Sequence, residues 1–397
     1  MRTVCRACAG TSLQSILDFG ALPLAGGFLA GPEAAAVEQK YPLAIHVCNR
    51  CGLVQVLDPV SPDILFQDYS FSSSTIKPLV DHFCSYAKWM TERLQPRLVV
   101  EFGSNDGVLL APLQALGVRA VGVDVSRNIT DIARAKGLQV LTGFFDAEMA
   151  GRLRDEYGLA DVVTGSNAFA HNDAPERLLE AANIVLQETG YLCLEFMYAG
   201  DLLEQLQWDT LYHEHLTFYS LATIGALLER HGFYVVDAER LPMHGGSLRV
   251  TAARTGAPKT AGVEAILRYE QETGLNEPES WRKFGVQSRR KIEIVKHVFS
   301  ELARRRSIWA YGAAGKATMW VNAADMHYLG AVVDASPLRA GKLMPGTHTP
   351  IVFPEEFRRN PPDHVFVTAW NYADLIRSKE TWFPGVWSTP LPDLRFF

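Results

Sequence analysis

The sequence predicts an α/β protein built on a doubly wound parallel sheet, with further domains before and after it. Between residues 98 and 195, short runs of β-branched and apolar residues alternate with stretches of helical periodicity, which is typical of parallel strands joined by helices. A strand, a glycine turn and a helix follow one another at 99–116, and the same succession begins again at residue 307. A chain of 397 residues is long enough for two or three domains.

Taken in order, the elements support this fold class. Strands of the middle sheet are expected at 98–101, 120–124, 140–141, 162–164 and 191–195, with a completing pair at 233–238 and 247–252. Before the sheet, residues 52–56 are predicted to form a strand, and after it residues 262–303 carry long helical patterns. Strands at 307–311 and 331–334, with a glycine turn and a helix between them, predict a small Rossmann-like unit.

Composition excludes several classes of function. The formal net charge is −6, so no basic surplus attracts nucleic acid or an anionic membrane surface. No apolar run approaches the ~20 residues that a membrane span needs, and the first residues lack the apolar segment of a signal peptide. We therefore expect a cytoplasmic protein whose cysteines are reduced or bound to metal.

The first glycine turn is a predicted nucleotide-binding element. Glu101 ends the strand, the turn reads Gly-Ser-Asn-Asp-Gly from residue 103, and the next strand ends in Asp124, about 20 residues on. A carboxylate in that position can accept hydrogen bonds from both ribose hydroxyls, and the helix N-terminus favours an anionic or polar ligand. Because the turn is not Gly-x-Gly-x-x-Gly, a nicotinamide dinucleotide is disfavoured. A purely structural turn with a solvated Asp124 is the alternative.

Four cysteines form two Cys-x-x-Cys pairs, Cys5 with Cys8 and Cys48 with Cys51. Two such pairs can supply the four thiolates of a closed structural zinc site. Reduced surface pairs or a redox pair are the alternatives. The two remaining cysteines, Cys84 and Cys193, lie in apolar surroundings and are expected to be buried packing thiols.

A dense polar segment follows the fifth predicted strand: Tyr212, His213, Glu214 and His215. Its His-x-His pattern with a carboxylate is compatible with a metal site, and a structural role is also possible. Outside this segment, His171 follows the fourth strand, where a helix-cap or surface role is the alternative to a catalytic one.

Several motifs together resemble a known family. The segments Gly20-x-x-Pro23-Leu24-Ala25, Tyr41-Pro42-Leu43 and Cys48-x-x-Cys51-Gly52-Leu53-Val54-Gln55 are similar to the zinc domain of the deoxysugar C-methyltransferases, and the first glycine turn resembles the first motif of class I S-adenosylmethionine-dependent methyltransferases. The resemblance covers essentially the whole chain. It implies a zinc-binding domain at 1–70, a class I methyltransferase domain at 71–255, and a helical linker with a Rossmann-like, nucleotide-sugar-binding domain at 256–397.

The resemblance also implies site residues. The S-adenosylmethionine site is expected to use Glu101, Gly103, Asn105, Asp124, Phe145 and Asn167. The catalytic set is expected to be Tyr212, Glu214, His215 and His171. The nucleotide-linked sugar is expected to contact Tyr69, His244, Lys316, Lys342 and Asn371, and zinc is expected to be held by Cys5, Cys8, Cys48 and Cys51. Phe71 replaces a tyrosine that is frequent in the family, so a hydroxyl is missing there.

The resemblance implies methylation of a carbon next to the ketone of a nucleotide-linked 4-keto-deoxysugar, through a base-generated enolate. His215 would act as general base, Glu214 would set its tautomer and basicity, and Tyr212 or His171 would donate to the enolate oxygen. A sugar O-methyltransferase on the same scaffold and a non-catalytic zinc-containing binding protein are the alternatives, and both glycine turns disfavour a dehydrogenase. The sugar, the nucleotide, the methylated atom and the oligomeric state are not predicted.

Overall fold

The computed structural model describes residues 2–66, 69–254 and 258–397. Its strands are β1 (Leu13–Pro23), β2 (Lys40–Cys48), β3 (Val54–Val56), β4 (Leu98–Phe102), β5 (Arg119–Asp124), β6 (Val140–Thr142), β7 (Ala160–Ser166), β8 (Leu186–Met197), β9 (Thr217–Phe218), β10 (Tyr234–Leu241), β11 (Ser247–Ala253), β12 (Ile308–Tyr311), β13 (Val332–Val333), β14 (Ile351–Val352), β15 (His364–Val367), β16 (Val386–Thr389) and β17 (Arg395–Phe396).

The α-helices are α1 (Pro32–Ala36), α2 (Pro62–Phe66), α3 (Lys77–Leu94), α4 (Leu110–Ala115), α5 (Arg127–Ala135), α6 (Ala147–Tyr157), α7 (Pro175–Val185), α8 (Ala199–Glu204), α9 (Leu221–Arg230), α10 (Ala261–Thr273), α11 (Pro278–Ala303), α12 (Gly315–Ala323), α13 (Pro354–Arg359) and α14 (Ala373–Lys379). Short 3-10 helices occur at Ser73–Thr75, Phe169–His171, Trp208–Thr210, Met243–Gly245 and Trp370–Tyr372. Among the described helices, none combines the length and the apolar character needed to cross a bilayer.

The middle sheet has seven strands in the order β10-β11-β8-β7-β4-β5-β6. The five strands β4 to β8 are parallel, whereas β11 runs antiparallel to both of its neighbours. All seven predicted strands are therefore confirmed, and so is the class I methyltransferase sheet. The largest difference is at β8, which begins at Leu186 because its first residues also pair with β7.

The first sheet is antiparallel and has the order β1-β2-β3-β9. Its fourth strand, β9, belongs to the segment that follows His215, and it pairs with β3 so that Val54 lies opposite Phe218. The sequence predicted β3 but not this pairing, because two-residue strands leave no periodic signal. The zinc-binding part and the middle domain thus share one sheet.

The last sheet has the order β14-β13-β12-β15-β16-β17, and only β17 is antiparallel. When β12 is counted as strand 1, the order of the strands is 3-2-1-4-5-6, as in a dinucleotide-binding unit. This order confirms the predicted Rossmann-like domain. Ligands of such sheets lie at the carboxyl ends of the strands.

The predicted helical linker also braces the first sheet. The backbone of Gly285, on α11, lies against the carbonyl group of Ile16, where a β-carbon would not fit. On the same helix, Arg282 donates to the Gln14 side chain at 2.9 Å. The predicted boundary between residues 255 and 256 lies outside the described residues.

Candidate active site

The first glycine turn connects β4 to α4, and its backbone is hydrogen-bonded to Asp124 at the carboxyl end of β5. Gly103 has a φ of 65°, and a β-carbon there would overlap the methyl group of Ala168. The backbone N–H of Asn105 donates to Asp124 Oδ2 at 2.9 Å, and Ser126 N–H donates to Oδ1 at 2.9 Å. Burial raises the pKa of Asp124, and these hydrogen bonds oppose the shift. Asp124 is half-exposed, so it is accessible to a ligand.

Two of the predicted cofactor residues, Glu101 and Asn167, have polar groups that are unpaired in the described part of the structure and that fit S-adenosylmethionine. Glu101 is buried at the end of β4, its Oε2 atom has no hydrogen-bond partner among the described residues, and burial raises its pKa well above the ordinary value. A buried, unpaired carboxylate is costly, and the ammonium group of the cofactor would relieve that cost. Asn167, at the end of β7 with a φ of 55°, has a side-chain amide without a hydrogen bond within the described parts of the chain.

The structure places Phe145, one of the predicted cofactor residues, in the core. The predicted Phe145 is only 6% exposed, and its ring stacks on Phe102 with centroids 5.3 Å apart. Its neighbour Phe144 is 48% exposed. Phe145 therefore belongs to the core, since it packs against the first strand of the sheet, and Phe144 is the aromatic available to a ligand.

Gly103→Ala is expected to weaken S-adenosylmethionine binding by about tenfold or more, because Ala168 would be pushed away from the turn. Gly117→Ala is the matched control: Gly117 also has a positive φ, 80°, but has no atom within 4 Å of an added β-carbon. Isothermal titration calorimetry with S-adenosylmethionine measures both variants. Equal affinities for the two would contradict the assignment.

A serine-rich segment, residues 69–75, is hydrogen-bonded to the glycine turn. Asp106 accepts hydrogen bonds from the hydroxyl groups of Ser72, at 2.6 Å, and Ser74. The Asn105 amide accepts from Ser73 N–H at 2.9 Å and donates to the carbonyl group of Phe71 at 3.0 Å. The side chain of Asn105 is therefore occupied by this segment, which carries Tyr69 toward the catalytic residues.

His215 is held as a neutral imidazole, and its Nε2 atom has no hydrogen-bond partner among the described residues. Its Nδ1 atom lies 2.6 Å from the carbonyl oxygen of Thr210. Because a carbonyl can only accept, Nδ1 carries the proton and Nε2 keeps its lone pair. Burial, followed by the charge that His171 would carry, lowers the pKa of His215 well below its ordinary value. The imidazole ring is therefore uncharged at neutral pH.

Two further catalytic candidates surround this imidazole. The ring centroid of His171 lies 5.0 Å from that of His215, and the ring centroid of Tyr212 lies 4.0 Å from it. Burial lowers the pKa of His171 to about 4 and raises that of the Tyr212 phenol well above 10. The backbone of Gly315, at the start of α12, packs on the Tyr212 ring. The structure thus brings a neutral base and two neutral hydrogen-bonding groups together.

The predicted role of Glu214 in orienting His215 is wrong, since the carbonyl group of Thr210 does so. The two residues are neighbours in a turn, and the Glu214 carboxylate instead lies against Gly26 of the first domain. Burial raises the pKa of Glu214 to about 7, although Tyr69 and Arg339 stabilise its charged form. Glu214 therefore connects the turn at residues 210–215, called the catalytic turn below, to the first domain and to Tyr69.

Glu214→Gln is expected to change how stability depends on pH. A carboxyl group whose pKa is raised in the folded state favours folding below its unfolded pKa, and that contribution is lost as the pH rises to about 7. Relative to the Gln variant, the wild type should therefore lose about 3 kcal/mol of stability between about pH 4.5 and pH 7. Thermal denaturation of both proteins across this range measures the difference, and parallel profiles would contradict the expectation.

The alternative of a metal at His213 and His215 finds no support in the contacts. His213 Nε2 bonds the carbonyl oxygen of Tyr41 at 3.1 Å, so it points into the first domain. Within residues 2–66, 69–254 and 258–397, the one group of three or more side chains placed to share a metal is the set of four cysteines.

The four cysteine sulfur atoms fit a zinc site. They lie within 4.8 Å of one another, and the sulfur pairs Cys5 with Cys51 and Cys8 with Cys48 are each 3.6 Å apart. Tetrahedral zinc with Zn–S bonds of about 2.3 Å requires sulfur separations of about 3.8 Å. Of the other cysteines, Cys193 is buried as predicted, but Cys84 is exposed because it lies on the outer face of α3.

The C-terminal domain contributes Lys316 and Trp370 to the site. Lys316 Nζ donates to the carbonyl oxygen of His244 at 3.4 Å and lies 4.3 Å from the centroid of the Trp370 ring. Burial lowers the pKa of His244 to about 4. The structure thus brings the predicted substrate residues His244 and Lys316 together, and Asn371 follows Trp370 in the sequence. Lys342 is half-buried and makes no ion pair among the described residues.

Sequence reasoning missed Asp209, which connects the catalytic turn to the C-terminal domain. The buried Oδ2 atom accepts hydrogen bonds from the indole N–H groups of Trp320, at 2.9 Å, and Trp370, at 2.8 Å. Asp209 directly precedes Thr210, the residue that orients His215. Trp320 and Trp370 lie 111 and 161 residues further along the chain, so no local sequence pattern predicts these hydrogen bonds.

Asp209→Ala is expected to destabilise the protein by about 2–5 kcal/mol, because two buried indole N–H groups lose their acceptor. Asp209→Asn is the control, since its amide oxygen can still accept both hydrogen bonds. Thermal denaturation should rank the wild type and the Asn variant above the Ala variant. An Ala variant as stable as the wild type would contradict the structural role.

Three family models match successive parts of the chain. They are described as "Putative zinc binding domain" at residues 5–66, "Methyltransferase domain" at 81–238 and "C-methyltransferase C-terminal domain" at 242–392. The C-methyltransferase NovU of Streptomyces niveus is 32% identical over 402 residues, which cover 98% of this chain and 96% of NovU.

Solved structures are similar to a smaller part of the chain. Magnesium protoporphyrin IX methyltransferase (ChlM) from Synechocystis PCC 6803, with bound SAH, is 18% identical with a TM-score of 0.36, covering 44% of this chain and 83% of that one. A SAM dependent methyltransferase from Archaeoglobus fulgidus is 16% identical with a TM-score of 0.36, covering 44% of this chain and 93% of that one.

The seven-stranded sheet with its glycine turn, the match to the methyltransferase model and the similarity to NovU show an S-adenosylmethionine-dependent methyltransferase. The four-cysteine cluster adds a structural zinc site to this class of enzyme. More specifically, because NovU matches almost the entire chain, the protein belongs to the C-methyltransferase family that includes NovU.

Proposed function

We propose that this C-methyltransferase methylates a carbon next to the ketone of a nucleotide-linked 4-keto-deoxysugar, through an enolate. The observation that supports the proposal most directly is the free Nε2 atom of His215, held beside His171 and Tyr212. A carbon becomes nucleophilic only when a base removes its proton and a donor stabilises the resulting oxyanion. These three side chains can supply both functions.

Each residue has a part in this proposal. His215 Nε2 takes the proton from the carbon, and the carbonyl group of Thr210 stabilises the imidazolium that forms, since Nδ1–H still donates to it. The raised pKa of Tyr212 keeps its hydroxyl group protonated, so it can donate to the enolate oxygen, and a neutral His171 can donate from one nitrogen. S-adenosylmethionine, when bound, supplies the electrophilic methyl group.

The cofactor and the sugar approach this centre from different domains in our proposal. Glu101, Asp124 and Asn167 end three neighbouring strands of the middle sheet and would hold the cofactor. Lys316, Lys342 and Asn371, from the C-terminal domain, would hold the nucleotide part of the substrate. Tyr69 and His244 would cover the sugar.

The test is mass spectrometry of the protein with S-adenosylmethionine and thymidine-, guanosine- and cytidine-linked 4-keto-6-deoxysugars. We expect one of them to gain one methyl group while S-adenosylhomocysteine is released. Exchange of a sugar C–H for solvent deuterium at the carbon next to the ketone should accompany it. A methyl group on oxygen, or no product from any of these sugars while the cofactor binds, would overturn the proposal.

A further inference from the structure

Arg339 is a buried cation with unused hydrogen-bonding capacity. The residue is 8% exposed, and one of its terminal nitrogens donates to Asp334 Oδ2 at 3.2 Å. Its Nε–H has no partner among the described residues. A guanidinium group has five donors, and buried donors are normally satisfied. An incompletely paired, buried guanidinium therefore points to an acceptor that the protein itself does not provide.

A comparison of the two Rossmann-like units identifies the kind of acceptor. In the middle domain, Asp124 ends the second strand and accepts two backbone N–H groups, from Asn105 and Ser126. No cation lies within ion-pair distance of Asp124 in the described parts of the chain. Its charge is therefore available to the hydroxyl groups of a ribose.

The C-terminal unit has the same arrangement with one addition. Asp334 follows the second strand, β13, and also accepts two backbone N–H groups, from Ala313 and Ser336, both at 2.8 Å. Here Arg339 lies on the carboxylate and neutralises it. The C-terminal unit thus presents a guanidinium where the middle unit presents a carboxylate, which favours an anionic part of a ligand over a ribose.

Arg339 also faces the catalytic residues. Its guanidinium carbon lies 5.9 Å from the centroid of the Phe28 ring, in the first domain, and 5.7 Å from that of Phe71, in the serine-rich segment. The Phe71 ring lies 6.4 Å from that of Tyr69, and the charge of Arg339 acts on Tyr69 and Glu214. The guanidinium is therefore fixed between aromatic rings where the three domains meet.

We propose that Arg339 binds the diphosphate of the nucleotide-linked substrate and thereby sets the distance of the sugar from Tyr212 and His215. The inference rests on the proposed function. Phosphate oxygens suit the planar, paired donors of arginine, and their binding would satisfy the free Nε–H. Lys316, whose Nζ atom lies 4.3 Å from the centroid of the Trp370 ring, would supply a second, point-like charge.

The test is calorimetric binding of thymidine, guanosine and cytidine diphosphates, of the corresponding nucleosides, and of inorganic pyrophosphate. We expect at least one nucleoside diphosphate to bind the wild type, and Arg339→Met to weaken that binding by about tenfold or more while nucleoside binding stays unchanged. Arg339→Lys should recover part of the affinity. Arg359→Met is the matched control, because the Arg359 side chain is 75% exposed and lies on α13.

Three outcomes would overturn the inference: no nucleoside diphosphate bound by the wild type, equal affinity for the wild type and the Met variant, or equal loss of nucleoside and diphosphate binding. Pyrophosphate bound as tightly as the nucleoside diphosphate would also overturn it, because it would indicate a site for a free anion. S-adenosylmethionine affinity reports the folding of each variant, and if the Met variant fails this check, Arg339→Lys decides. Because none of these measurements needs turnover, failure of the inference is distinguishable from failure of the proposed function.

Discussion

Replacing His215 with glutamine is expected to lower kcat by about 10²–10⁴-fold, the usual effect of losing a general base. The amide of glutamine can still donate to the carbonyl group of Thr210, which now lies 2.6 Å from Nδ1, but it cannot take up a proton. Cofactor binding should persist, since the glycine turn lies in other elements. Steady-state kinetics and calorimetry measure these two effects separately.

The control for this variant is His213→Gln. His213 is also buried and lies two residues earlier in the same turn, but its Nε2 atom bonds the carbonyl group of Tyr41. We expect this variant to lose stability, by about 1 kcal/mol, while keeping most of its turnover. Similar turnover in the two variants, or near-normal turnover without His215, would remove His215 from the role of base.

Proton exchange gives a second readout for His215. Loss of the base should abolish deuterium exchange at the sugar carbon, whereas Tyr212→Phe should slow exchange, because the phenol only stabilises the oxyanion. A variant that loses methyl transfer but exchanges at the normal rate would place the defect after proton removal. This comparison separates the base from the groups that position the cofactor.

The parts of this site that were predictable from sequence have local signals. Gly103 and Asp124 lie in one strand–turn–helix–strand unit, and the cysteine pairs combine residue type with short spacing, so few alternative structures fit them. His215 became a candidate because it lies in a dense polar segment, and its role as base was implied by the resemblance to the C-methyltransferases.

The parts that were missed depend on contacts between distant residues or on the backbone. The group that orients His215 is the carbonyl group of Thr210, and a carbonyl has no sequence signature. Asp209 meets Trp320 and Trp370, and Arg339 meets Phe28 and Phe71, only when the C-terminal domain packs on the rest of the chain. Phe145 and Phe144 are chemically identical, so only the packing of one against Phe102 distinguishes them.

The zinc site is the second place where a large effect is expected. Cys48→Ser, or removal of zinc by a chelator, should unfold the first domain, because binding energies of structural zinc sites are about 10–16 kcal/mol. Zinc analysis should find one ion per four-cysteine cluster in the wild type and none in the variant. Cys84→Ser is the matched control, since Cys84 is exposed and lies outside the cluster.

Loss of zinc should also impair catalysis without a direct contact to substrate. Arg6, between the first two cysteines, holds Asp173 at 2.6 Å, and Asp173 lies two residues after His171. Strand β3, which follows Cys51, pairs with β9 directly after the catalytic turn that contains His215. The zinc-binding part therefore supports both histidines through separate connections, whereas the glycine turn belongs to the middle sheet.

Removal of zinc is thus expected to reduce kcat strongly while the affinity for S-adenosylmethionine changes little. Hydrogen exchange should report the cause directly, with protection lost at residues 54–56 and 217–218, where β3 and β9 pair. Cys48→Ser with normal kcat and normal protection at β9 would contradict the coupling. Loss of cofactor affinity together with kcat would instead indicate that the middle domain needs the zinc site to fold.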